Sequence, residues 1–213
     1  MTTVRLKGGL GNQMFQYAAG RAKSLKNKTK LRLDVSYYDF KLLGVTKRVF
    51  SLEAFNISGD IIKRSFLKYI LGRVFGREDY FQSPKYFEGY EEIIRKDFTL
   101  KEPLTGKSAE LLVEIKNCSS VGIHVRRGDY VGNATHPVLG EGYYKAGLEY
   151  ISRKSKIDKI YVFSDDIGWC KENLQFGHDT VFVGDEYAGK YVEGHMMLMS
   201  ACKNLVIANS TFS

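Results

Sequence analysis

Hydrophobic and polar positions change their period along the first forty residues. Thr3 to Lys7 alternates at a period of two and predicts a short strand, which runs into a turn at Gly8, Gly9 and Gly11. From Asn12 to about Asn27, Met14, Phe15, Ala18, Ala19, Ala22 and Leu25 recur at three-and-four spacing, the stripe of an amphipathic helix. Leu31 to Val35 predicts a second strand, so the opening reads as a βαβ unit. From Ser36 to Asn117 the pattern is less regular. An amphipathic basic helix is expected from Gly59 to Phe75, followed by an aromatic stretch with Tyr80, Phe81, Tyr86, Phe87 and Tyr90. Rings at such density usually pack a core; the other reading is a wall against which sugar rings stack. A helix over Lys107 to Lys116 leads to the expected domain boundary, near Asn117 to Ser120.

Beyond that boundary the two periods alternate regularly. Val121 to Val125, Lys159 to Phe163, Thr180 to Val183 and Leu205 to Ala208 predict strands. Tyr143 to Lys154, Ile167 to Asn173 and Tyr191 to Cys202 predict helices. Short apolar strands separated by helices imply a parallel sheet covered on both faces, an α/β fold. Ligands of such sheets bind at the carboxyl ends of strands, which directs attention to the loops after Val125, Phe163 and Ala208.

Composition narrows the class. With 213 residues, 44% of them hydrophobic and 26% charged, the chain can bury one large core or two small ones, and disorder is excluded. No run of eighteen uncharged apolar residues occurs, and Arg5 and Lys7 interrupt the region where a secretory segment would need an apolar core. The chain therefore reads as intracellular. Cys118, Cys170 and Cys202 are far apart and show no CxxC spacing, so they read as free thiols rather than zinc ligands or disulfides. The net charge of +8 is uneven: residues 1–117 hold 22 basic and 13 acidic side chains, residues 118–213 hold 10 and 11. This asymmetry suggests two units. The basic residues are interleaved with acids and no zinc-finger, RRM or KH pattern occurs, so nucleic acid is not the expected partner. An anionic bilayer or an anionic sugar nucleotide would need the same sign of charge, and charge alone does not choose between them.

The residues with chemistry follow the predicted strand ends. Val121 to Val125 runs into HVRRGDY, with His124, Arg126, Arg127 and Asp129. Adjacent arginines at the mouth of a parallel sheet suit a diphosphate, because the guanidinium fork matches phosphate oxygens and keeps its charge. His124 is either a satisfied core histidine or, on the face shared with Arg126, a ligand donor. Asp129 is either a general base or the partner that orients an arginine. Asp165 and Asp166 follow the next strand, where paired acids bind a metal or a ribose, or cap the helix that begins at Ile167. No further acidic cluster supports a metal, and none is expected. The GGLGN turn is not a GxGxxG fingerprint; Asn12 and Gln13 either cap the first helix or face a ligand.

Taken together, GGLGNQMFQYAAGRA, HVRRGDY, VFSDD and IANSTFS, in that order along the whole chain, resemble the bacterial alpha-1,2-fucosyltransferases of glycosyltransferase family 11. The resemblance implies a GT-B-like α/β fold: two Rossmann-like lobes with parallel sheets, residues 1–117 on the acceptor side and 118–213 binding the donor. It implies inverting transfer of L-fucose from GDP-fucose to the 2-hydroxyl of a galactoside, in an oligosaccharide or glycolipid, without a metal. Such an enzyme would be cytoplasmic, with peripheral association at the inner membrane face open to it. By motif match Arg126 meets the donor phosphates, His124 lies near guanosine, and Ser210 and Thr211 close around the diphosphate, with Arg127, Asp165, Asn209 and Phe212 also on the donor side. Gly9, Gly11, Asn12 and Gln13 belong to the acceptor side, Asn12 near the reacting centre. Asp129 is the candidate base. The family pattern has an aspartate where this chain has His195, and Glu193 is the expected substitute for its contact with guanine. Relatives continue past the third motif, so the chain is expected to be a fragment with an incomplete donor lobe. The rival expectations are a fucosyltransferase of another linkage or target, and a fragment that binds GDP without turnover.

Overall fold

The opening period-two run forms strand β1 (Thr2–Arg5), and the helix that follows, α1 (Leu10–Lys26), returns the chain to β2 (Leu31–Asp34), paired parallel to β1. The computed structural model describes residues 1–40, 48–65, 69, 79–132, 134 and 137–213. The βαβ unit has the expected helix, but its buried stripe is rotated. Gln13 and Gln16 are fully buried with Tyr17, Ala18, Ala19 and Ala22, whereas Met14, Phe15 and Leu25 are only half-buried. The two glutamines face inward because main chain awaits them there: Gln16 Oε1 accepts from the Lys7 N–H at 2.8 Å and Gln13 Oε1 from the Ser51 N–H at 2.8 Å.

A third strand, β3 (Asp60–Ile62), adds parallel to β2 and completes the sheet in the order β1-β2-β3. It occupies the start of the expected basic helix from Gly59. The branched pair Ile61–Ile62 satisfies the open edge of β2 with backbone hydrogen bonds, which a periodicity argument does not weigh. Most of the remainder of that expected helix lies outside the described residues. Helix α2 (Glu91–Asp97) follows, and the aromatic stretch before it is not a core: Tyr80 and Tyr86 are exposed.

Two compact units result, the first essentially Met1–Glu102 and the second Pro103–Thr211. The division falls ahead of helix α3 (Gly106–Asn117), which belongs to the second unit. The reason is packing: Glu114 on α3 pairs with Lys159 at 2.8 Å and accepts from the Tyr161 hydroxyl at 3.0 Å, and Ile115 is fully buried.

The second unit is built on β4 (Ser120–Val125), α4 (Glu141–Ser152), β5 (Lys159–Ser164), α5 (Ile167–Asn173), β6 (Thr180–Val183), α6 (Glu193–Ser200) and β7 (Asn204–Val206). All four strands are parallel, in the order β6-β5-β4-β7. All six residues of β4 are buried, as expected of a central strand covered on both faces. Val121, Ile123 and Val125 pack with Tyr144, Leu148 and Ile151 of α4 and Cys170 of α5. On the other face Phe163 meets His195 of α6 edge-on. Successive strands step outward from β4 to β6 and then reverse to β7, so the point where the order switches lies between β4 and β7. In open parallel sheets the crevice outside the strand ends at that point is the ligand site.

Candidate active site

β4 delivers Arg126 and Arg127 to that switch point, and a ring of carboxylates fixes both. Arg126 Nη2 donates to Asp129 Oδ1 at 2.6 Å, and its Nη1 lies 2.9 Å from Asp165 Oδ2. Asp165 turns its other oxygen to the Arg127 N–H at 2.9 Å. The Arg127 guanidinium lies 3.5 Å above the Trp169 ring while its Nε donates to Asp166 Oδ2 at 3.2 Å. Asp166 also caps α5, its Oδ1 accepting from the Trp169 N–H. The ambiguous acidic pair therefore serves as the arginines' frame. Gly128 makes that close approach feasible, since a Cβ there would lie 2.4 Å from Asp165 Oδ2.

A one-turn helix, Gly128–Tyr130, closes on the Arg127 carbonyl, and the Tyr130 hydroxyl donates to the Asn209 carbonyl at 3.0 Å. The loop after β4 is thus tied to the loop after β7. There the Ser210 N–H donates to Ala208 O at 2.8 Å, and Ser210, Thr211 and Phe212 are half-buried. These contacts bring Arg126, Arg127, Asp129, Asp165 and Asn209 together. Trp169 and Tyr130 complete the arrangement and were not singled out in the sequence. The signal for Trp169 was its place three residues after a capping Asp166, on the first turn of α5.

His124 is buried on β4, and burial pushes its pKa down to about 4; Asp165 opposes this, while Arg126 and His195 add to it. It is neutral near pH 7. It offers one donor and one acceptor nitrogen and adds no cation to those of Arg126 and Arg127. His195 is also buried, and its Nε2 lies 2.8 Å from the Gly184 carbonyl. A carbonyl only accepts, so Nε2 carries the proton. An aspartate at this position would turn an acceptor toward an acceptor, which accounts for a histidine where the resemblance expects an acid. Glu193 differs from its expected role: its two oxygens accept from the Lys190 and Tyr191 N–H groups, closing its own turn at the start of α6. Gly194 packs that turn so tightly that a Cβ would lie 2.0 Å from Tyr187 O.

The residues expected on the acceptor side lie in the first unit. Gly9 precedes α1 in an extended conformation, Gly11 is buried in its first turn, and Asn12 Oδ1 accepts from Gln82 Nε2 at 2.8 Å. Gln13 departs from expectation. Its amide is consumed by main chain, Nε2 donating to Gly8 O and Val49 O and Oε1 accepting from Ser51, and the side chain is fully buried. Among the described residues there is no group of three or more His, Cys, Asp or Glu side chains able to hold a metal ion.

The parallel sheet with a charged fork at its switch point has the architecture of a GT-B-like fold. The NodZ alpha-1,6-fucosyltransferase of Bradyrhizobium, whose crystals were soaked with GDP-fucose, has this fold: it superposes with a TM-score of 0.61 at 17% identity, over 99% of this chain and 89% of its own. The family description "Glycosyl transferase family 11" matches residues 1–213, and the chain belongs to that family. An Escherichia coli alpha-1,2-colitosyltransferase is 31% identical, over 100% of this chain and 85% of its own length. A galactoside 2-alpha-L-fucosyltransferase of Caenorhabditis elegans is 27% identical, over 100% and 67%.

Proposed function

We propose that this chain is an inverting alpha-1,2-fucosyltransferase that moves L-fucose from GDP-fucose to the 2-hydroxyl of a galactoside. The observation that carries the reading is the paired fork of Arg126 and Arg127, fixed by Asp165, Asp166 and Trp169 at the switch point of a parallel sheet. Two delocalised cations at that place suit a diphosphate that gains negative charge as the C1–O bond to fucose breaks. Arginines then take the part that a divalent metal plays elsewhere, and no metal is required. His124 lies toward the guanosine, with Asn209, Ser210, Thr211 and Phe212 around the donor. The first unit supplies the acceptor side through Gly9, Gly11 and Asn12. Asp129 takes the proton of the acceptor hydroxyl as its oxygen bonds to C1, and the electron pair of the broken bond leaves on GDP. The basic excess of residues 1–117 supports work at an anionic membrane face on a glycolipid as well as on a free oligosaccharide. A colitosyl donor is the second reading, supported by the name of the Escherichia coli relative.

The test is the initial rate of GDP release from GDP-fucose with lactose as acceptor, for the wild type and Arg126→Lys. Lysine keeps the charge and loses the planar fork, and loss of one comparable transition-state donor costs about 100- to 1,000-fold. The wild-type rate with excess EDTA should equal that with added magnesium. A rate for Arg126→Lys within a few-fold of wild type, or strict dependence on a divalent ion, would remove the arginine fork from the chemistry.

A further inference from the structure

We infer that Tyr80, Gln82 and Asn12 form the subsite for the acceptor galactose: the Tyr80 ring stacks against the apolar face of the sugar, and the two amides bind its hydroxyls. The inference rests on the proposed transfer to a galactoside and adds which side chains of the first unit recognise it.

The aromatic segment before α2 carries rings outward, and they are held in place. Tyr80 is 40% exposed, with Lys7 Nζ 4.4 Å from its ring centroid. Phe81 meets the exposed Tyr86 edge-on at 5.1 Å. Gln82 is fastened as well, its Nε2 donating to Asn12 Oδ1 at 2.8 Å. Lys7 and Asn12 lie on either side of the glycine turn at the carboxyl end of β1, where Gly8 stands at φ 80° and a Cβ would lie 2.8 Å from Asn12 Nδ2. Tyr80 and Gln82 are thereby tied to the end of a parallel strand at which such sheets carry ligands. Between them Phe81 stands in the left-handed region at φ 52°, a conformation that a bulky residue rarely adopts and that recurs at ligand clamps.

This surface has the chemistry that a galactose needs. The axial 4-hydroxyl of that sugar leaves the hydrogens on C3, C4 and C5 together on one side, an apolar face that matches a phenol ring. Its other hydroxyls stand at the ring edge. The Asn12–Gln82 bond uses one atom of each amide, which leaves Asn12 Nδ2 to donate and Gln82 Oε1 to accept.

The competing reading is that Tyr80 only packs against Lys7, and the two readings differ in which KM moves. Initial rates with the whole chain should give Tyr80→Ala a KM for lactose about three- to tenfold above wild type, the range of one aromatic contact, with the KM for GDP-fucose little changed. Tyr80→Phe keeps the ring and should recover most of the difference. Gln82→Ala should raise the KM for lactose by a similar factor. Saturation-transfer NMR of lactose in the presence of GDP should saturate the protons on C3, C4 and C5 of galactose first with the wild type, and lose that pattern with Tyr80→Ala. A KM for lactose in Tyr80→Ala within about twofold of wild type, or a parallel rise in both KM values, would overturn the subsite and leave the proposed function standing. A wild type that neither transfers to lactose nor gives its NMR signals would sink the proposed function, and this inference with it.

Discussion

Burial governs what His124 does in this molecule. A histidine held neutral down to about pH 4 in the folded state, against an ordinary 6.5, binds its proton in the unfolded chain first. Stability attributable to it is therefore present above pH 6.5 and is lost as pH falls from 6.5 toward 4. At about 1.4 kcal/mol per pKa unit the loss approaches 3 kcal/mol at the acid end. Urea unfolding of the wild type and His124→Gln at pH 7 and pH 4.5 isolates this contribution, because the other titrating groups are common to both. The expected result is that the wild type loses about 2 to 3 kcal/mol more than the variant between the two pH values; parallel losses would mean that His124 is solvated. The neutral state also fits the site, since the cationic work falls to Arg126 and Arg127.

At the scale of elements, the turn before α6 is the most tightly specified. Val192 stands in the left-handed region at φ 69°, where a branched side chain is strained, and Gly194 leaves no room for a Cβ. Gly194→Ala should push Tyr187 O away, release the His195 contact with Gly184 O, and cost about 1 to 3 kcal/mol. Thermal melts and GDP calorimetry would read both effects; an unchanged melting temperature and affinity would show that the turn yields freely. Most elements of the second unit were legible in the sequence, since β4, β5, β6 and the helices between them appear within a residue or two of the expected positions. Short apolar runs bounded by turn residues encode buried parallel strands directly. The first unit was less legible because its specification is polar. Gln13 and Gln16 lie outside the apolar stripe read along α1, yet they face inward to satisfy main chain of other segments. β3 exists because β2 has an open edge, which is a property of the partner strand. In the site, HVRRGDY announced the arginines, but the frame of Asp165, Asp166 and Trp169 arises from the adjacency of β4 and β5, a register that local patterns do not contain.

Across the whole molecule, two units share one design, a parallel sheet with glycine-rich or charged loops at its carboxyl ends. The basic excess lies in residues 1–117, and the paired arginines with their carboxylates lie in the second unit. Among the described residues no helix is long and apolar enough to cross a membrane. Incubation of the protein with GDP-fucose and lactose, followed by NMR of the product, tests whether fucose goes to the one proposed hydroxyl. The expected product is a trisaccharide with fucose alpha-linked to the galactose 2-oxygen, formed in a one-to-one ratio with GDP. Fucose on any other hydroxyl, or GDP release that yields only free fucose, would contradict it.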